Sequence, residues 1–89
     1  MNQKTVHEMM MELSSMVEYL RKLGVDRPKG YSDKILGYLD AEGKDLYKAL
    51  AMAEKVLTFY KMFLLYKTHK ELSRIGDTVS AYLVAHPEN

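Results

Sequence analysis

An apolar stripe at helical spacing runs almost without interruption through the middle of this sequence. Its members recur every three or four residues, a pattern typical of one face of an α-helix: Leu36, Leu39, Gly43, Leu46, Leu50, Ala53, Leu57, Tyr60 and Leu64. A single helix from Ser32 to Ile75 would be roughly 65 Å long at the α-helical rise, whereas a compact domain of this size is about 30 Å across. The chain must therefore break this stripe or form an elongated dimer.

Two breaks are predicted within the stripe. Gly43 lies among polar residues and lowers helix stability by ~1 kcal/mol relative to alanine, so we expect a turn at residues 42–44. A second turn is expected near Lys67, because Thr68 and Glu71 have the spacing of a capping box. In that box, Thr68 caps the backbone of a further helix and Glu71 reaches back to it.

The residues before the stripe predict a first helix and a linker. Residues 3–23 form an amphipathic helix whose apolar side chains share one face, and Gly24 is suited to a left-handed C-cap. The linker covers residues 24–33 and contains Pro28. Ser32 is a suitable N-cap for the second helix, which is expected to begin one residue later.

The residues after the second break predict a last helix. It covers residues 69–85, and Pro87 ends it. Its apolar positions again have helical spacing: Leu72, Ile75, Val79 and Tyr82. No strand pattern is present, so the sequence predicts an all-α protein, a small antiparallel four-helix bundle forming a single domain of residues 1–89.

Composition limits the classes of protein to consider. The 89 residues are 47% hydrophobic and 28% charged with a formal net charge of +1, which is typical of a globular domain. Cysteine is absent, which excludes disulfides, thiolate metal ligands and cysteine nucleophiles. No uncharged apolar run approaches the ~18 residues of a membrane span, and the N-terminus has no signal-peptide pattern. We therefore expect a cytoplasmic protein without a membrane span.

Side chains suited to catalysis or metal binding form no recognisable motif. Glu8 and Glu12 share a face of the first helix, but His7 lies about 100° away from Glu8, and a metal site needs three or four converging ligands. His69 and His86 are isolated, and are interpreted as surface or capping residues. No serine lies in a nucleophile motif, and no glycine-rich loop precedes a helix. We predict no enzyme activity, no metal and no cofactor.

The basic residues fall into two groups. One group lies in the acid-free stretch between Glu54 and Glu71, and the other surrounds the linker. Basic patches beside tyrosines are one feature of proteins that bind nucleic acid. The net charge near zero and the absence of a helix-turn-helix pattern favour two solvated faces instead, so we do not expect a nucleic acid partner.

The segment from Val56 to Leu65 is apolar around most of a helix circumference, with a polar edge at Thr58 and Lys61. Three interpretations are open: the core of the bundle, a homodimer contact, or a surface for another protein. The chain has seven tyrosines and seven methionines, two residue types that are enriched at interfaces. The oligomeric state is left open between monomer and homodimer.

Three short segments resemble one protein family, in the family's own order. "KTVHEMMMELS" (residues 4–14) resembles the opening helix of the immunity proteins that accompany pediocin-like bacteriocins, especially the enterocin A immunity type. "GYSDKIL" (residues 30–36) and "ELSRIGDT" (residues 71–78) are similar to the family's second and fourth helices. The resemblance implies a cytoplasmic four-helix bundle without catalysis. It also implies protection of the producing cell at a membrane receptor, a mannose-transport permease, when bacteriocin engages it.

The leading hypothesis is thus a small non-enzymatic interaction protein, most concretely a bacteriocin immunity protein. The residues predicted to bind its protein partner are chosen for exposed charge near the C-terminal end: Lys67, Lys70, Arg74 and Tyr82. Two alternatives are kept. One is a phage-type inhibitor of a host or defence complex, and the other is a dimeric nucleic-acid-associated regulator.

Overall fold

Five helices make up the part of the protein described by the structure, a computed structural model that describes residues 5–40, 45–63 and 65–87. They are α1 (Val6–Lys22), α2 (Tyr31–Asp40), α3 (Leu46–Met62), α4 (Leu65–Thr68) and α5 (Lys70–Ala85). Because α4 has only four residues, the other four helices form the body of the fold. No strand occurs in the described ranges. The all-α helical bundle expected from the sequence is confirmed.

The hydrophobic core is built around α3, which contacts α1, α2 and α5. Its buried side chains meet those of the three other long helices: Met9, Leu13, Met16, Val17 and Leu20 of α1, Ile35 and Leu39 of α2, and Leu72, Ile75, Val79 and Tyr82 of α5. The molecule measures 31 × 30 × 20 Å. The stripe is thus divided between α2 and α3, as the length argument requires. The predicted turn at residues 42–44 lies outside the described residues.

The start of α1 is set by a capping box that the sequence analysis missed. The Thr5 hydroxyl accepts a hydrogen bond from the Glu8 backbone N–H at 3.1 Å, and the Glu8 carboxylate accepts one from the Thr5 N–H at 3.0 Å. Thr5 has an extended backbone, so the helix begins at Val6 and the predicted start at Gln3 is wrong. The pattern T-x-x-E was visible in the sequence as "TVHE".

Replacing Thr5 with alanine is expected to lower the free energy of unfolding by about 1 kcal/mol, because the N–H of Glu8 loses its partner. Urea unfolding followed by circular dichroism measures the change. Ser15→Ala is the matched control, since Ser15 is an exposed residue inside α1 and its replacement favours the helix slightly. Equal stabilities of the two variants would contradict the capping role.

The end of α1 follows the sequence prediction. Gly24 has a φ of +71°, a left-handed conformation that glycine adopts without strain. Its N–H donates to the carbonyl of Arg21, and the N–H of Val25 donates to the carbonyl of Leu20, both at 3.0 Å. These two bonds form a Schellman motif, so the C-cap predicted at Gly24 is confirmed.

The start of α2 differs from the prediction. The helix begins at Tyr31, so Ser32 lies inside its first turn, buried, rather than at the N-cap. The preceding turn explains the difference: Gly30 has a φ of +82°, and its N–H donates to the Asp26 carboxylate at 3.1 Å. The backbone is thereby directed into the helix before Ser32 is reached.

The break predicted near Lys67 and the last helix predicted over residues 69–85 are confirmed by the junction between α4 and α5, but α3 ends earlier than expected. α3 ends at Met62 instead of near Lys67, and α4 continues in helical conformation through Thr68. Thr68 is therefore not the N-cap of α5. His69 holds that position without a side-chain capping bond. The Glu71 carboxylate bonds to the Arg74 guanidinium instead of reaching back, so the capping box predicted at Thr68 and Glu71 is wrong.

Candidate interaction surface

The end of α3 carries two exposed apolar side chains. Met62 is 72% exposed and Phe63 is 58% exposed, whereas Val56, Leu57 and Tyr60 of the same segment are buried. The apolar segment is therefore divided: its first part belongs to the core, whereas Met62 and Phe63 face solvent. Of the interpretations left open, the bundle core is confirmed for the buried positions, while Met62 and Phe63 are free to contact another molecule.

A series of aromatic contacts connects Phe63 to the core. The rings of Phe63 and Phe59 lie 4.8 Å apart between centroids. Phe59 in turn makes an edge-to-face contact with Tyr60, at 5.4 Å and 82°. Tyr60 is only 2% exposed, and burial raises the pKa of its hydroxyl. The exposed Phe63 ring is thus held in place by packed neighbours.

Three exposed lysines lie close to this pair along the chain: Lys61 at the end of α3, Lys67 in α4 and Lys70 at the start of α5. None of them forms an ion pair within residues 5–40, 45–63 and 65–87. We refer to Lys61, Met62, Phe63, Lys67 and Lys70 as the apolar–basic surface. Lys67 and Lys70 are among the partner contacts predicted from the sequence, whereas Met62 and Phe63 are not.

Arg74 has a different environment. Its guanidinium bonds to Glu12 of α1 at 2.8 Å and to Glu71 at 2.5 Å. The hydrogen bond from Arg74 lowers the pKa of Glu71 below its ordinary value, and its two carboxylate partners raise the pKa of Arg74. Arg74 therefore joins α5 to α1, and its charge is balanced.

Tyr82, the fourth predicted residue, is not part of the exposed surface. It is only 7% exposed, and its ring packs 4.6 Å from that of His86. Burial raises the pKa of its hydroxyl. The structure thus brings Lys67 and Lys70 to one end of the molecule, ties Arg74 to α1, and places Tyr82 in the core.

Lowering the pH is expected to remove the contribution of Glu71 to stability. A carboxylate with a lowered folded pKa stabilises the protein above its ordinary value of 4.5, and this contribution is lost as the pH falls through the folded pKa. At neutral pH, Glu71→Gln should cost less than about 1 kcal/mol, because the pair is solvent-accessible. The difference in unfolding free energy between Glu71→Gln and the parent protein should shrink below about pH 4.

Urea unfolding at neutral and acid pH measures this difference. Glu54→Gln is the matched control, because Glu54 is exposed and forms no ion pair within the described part of the chain. A cost of Glu71→Gln that stays constant from neutral to acid pH would contradict the role given to the Glu71–Arg74 pair.

The histidines lie at helix ends or on the surface. His69, in front of α5, hydrogen-bonds through Nδ1 to the Tyr19 hydroxyl at 2.9 Å. The backbone carbonyl of His86, behind α5, accepts a hydrogen bond from the Tyr47 hydroxyl. His7 is exposed. In the described residues, no three histidine, aspartate or glutamate side chains converge in a way that would hold a metal ion.

The basic group around the linker is partly balanced by neighbours. Arg21 bonds to Asp33 at 2.8 Å, and Lys22 lies 3.3 Å from Glu18. The ammonium of Lys34 lies 5.5 Å from the centre of the Tyr31 ring. The two ion pairs reduce the positive field that a nucleic acid would meet.

No known protein family, curated protein or solved structure gives a significant match to this chain. The resemblance to bacteriocin immunity proteins thus depends on the three sequence segments alone. Among the helices described, none combines the length and the apolar character needed to cross a bilayer.

Proposed function

We propose that this protein is a small, non-enzymatic interaction protein, and most concretely a cytoplasmic bacteriocin immunity protein that acts through a membrane permease. The observation that carries the proposal is the apolar–basic surface. Adjacent exposed apolar side chains with a polar rim are typical of interaction sites, and Lys67 and Lys70 are available to acidic groups of a partner. The segment resemblance supports the specific version.

Expression in a strain sensitive to pediocin-like bacteriocins tests this proposal. Cells that express the wild-type chain should require a higher concentration of at least one such peptide before their growth is inhibited. Lys67→Gln with Lys70→Gln should reduce this protection. The matched control is Lys48→Gln with Lys55→Gln, which removes the same charge from exposed positions in the first three turns of α3.

Failure of the wild-type chain to protect against any pediocin-like peptide, despite normal expression, would reject the immunity function. Equal protection by the two double variants would reject Lys67 and Lys70 as partner contacts. The phage-type inhibitor would then be tested by affinity capture of its target complex.

We further propose that the four long helices run antiparallel in chain order. Tyr19, near the end of α1, contacts His69 at the start of α5 with ring centroids 5.9 Å apart. Tyr47, near the start of α3, contacts His86 behind α5. A nuclear Overhauser effect between the rings of Tyr19 and His69 is expected in solution, and its absence would contradict this arrangement.

A further inference from the structure

The apolar–basic surface has a composition suited to a lipid surface. Met62 and Phe63 are adjacent large apolar side chains that face water at the end of a helix. Single exposed hydrophobic residues are common in proteins, whereas contiguous exposed apolar patches mark contacts with proteins or membranes. The contact between Phe63 and Phe59 holds the ring in place, so little conformational entropy is lost when the ring leaves water.

The charges around this pair favour an anionic surface. Lys61, Lys67 and Lys70 are exposed, and no acidic residue lies between Glu54 and Glu71. Glu71 is paired with Arg74, which it shares with Glu12. Lysines near an anionic leaflet each strengthen binding by roughly fivefold at low salt.

The combination of exposed apolar side chains with exposed lysines favours lipid as the occupant. Exposed apolar side chains accompanied by lysines fit the mode in which apolar groups enter the boundary between headgroups and acyl chains while lysines remain at the headgroups.

We propose that the apolar–basic surface binds the surface of anionic phospholipid bilayers, with Met62 and Phe63 inserting between headgroups and the three lysines contacting lipid phosphates. This inference rests on the proposed function only in placing the protein beside a membrane permease. Lipid binding would concentrate the protein on the leaflet in which such a partner is embedded.

Co-sedimentation with vesicles tests the inference. The wild-type protein should sediment with vesicles that contain phosphatidylglycerol, should sediment poorly with pure phosphatidylcholine vesicles, and should be released by salt. Met62→Ser with Phe63→Ser should weaken binding by on the order of tenfold or more. Lys61→Gln with Lys67→Gln and Lys70→Gln should weaken it at least as strongly.

The matched control is Met11→Ser with Val84→Ser, which removes two exposed apolar side chains, 58% and 83% exposed, from other parts of the surface. It should bind as the wild type does, and thermal unfolding should show that all variants are folded. Absence of binding to anionic vesicles at low salt would overturn the inference and favour a protein as the occupant. An equal loss in the control variant would also overturn it. Because the vesicles contain no permease, this result is independent of the protection assay.

Discussion

Replacing Leu50 with alanine is expected to lower the free energy of unfolding by about 2–5 kcal/mol. Leu50 is completely buried in α3, and α3 contacts the three other long helices. Truncation removes apolar contacts and leaves a cavity that the neighbouring helices cannot fill without moving. Because proteins have roughly 0.05–0.15 kcal/mol of stability per residue, this loss would be a large part of the total for 89 residues.

Urea unfolding at neutral pH measures the effect of Leu50→Ala. The urea concentration at the midpoint of unfolding should fall. The slope of the unfolding free energy against urea concentration should stay close to that of the parent, because the surface exposed on unfolding changes little. Leu23→Ala is the control, since Leu23 is 41% exposed behind α1. If Leu50→Ala lowers the free energy of unfolding no more than Leu23→Ala does, α3 is not central to the core.

Replacing Ala53 with leucine is the second substitution with a large expected effect. It should lower the free energy of unfolding by about 1–3 kcal/mol. Ala53 and Ala49 are both completely buried in α3, one turn apart on the same face. Small side chains at these positions let neighbouring helices approach α3. A leucine at position 53 would push a packed helix away or adopt a strained rotamer.

The control for Ala53→Leu is the same substitution at Ala51, on the same helix. Ala51 is exposed, so a leucine there should change stability by less than about 0.5 kcal/mol. Thermal and urea unfolding of both variants give the comparison. If Ala53→Leu is as stable as the wild type, unfilled space must lie beside α3. That result would contradict close packing around this helix.

Helical periodicity accounts for much of what could be predicted. The three-and-four spacing identified the four long helices, and the glycine at position 24 identified the end of α1, because both depend on local geometry. The same spacing assigned Tyr82 to the apolar stripe of the last helix, and the structure buries it. It was selected as a partner contact for its place near the C-terminal end, a choice that gave too little weight to this spacing.

Other features depend on contacts between distant residues. The bond between Glu12 and Arg74 joins residues 62 positions apart, and no spacing rule relates two helices before their packing is known. The end of α3 at Met62 has no glycine or proline to mark it. The exposure of Met62 and Phe63 follows from that early end, since a helix continuing to Lys67 would have placed these side chains in a different environment.

The exposure of Phe63 is the central claim, because both proposals use the apolar–basic surface. The chain contains no tryptophan, so Phe63→Trp introduces a single fluorescent reporter at this position. In the free protein, its emission should be that of a water-exposed indole, accessible to a soluble quencher and independent of protein concentration. A blue-shifted emission shielded from the quencher would contradict the account, because another part of the chain or a second copy would then cover this surface.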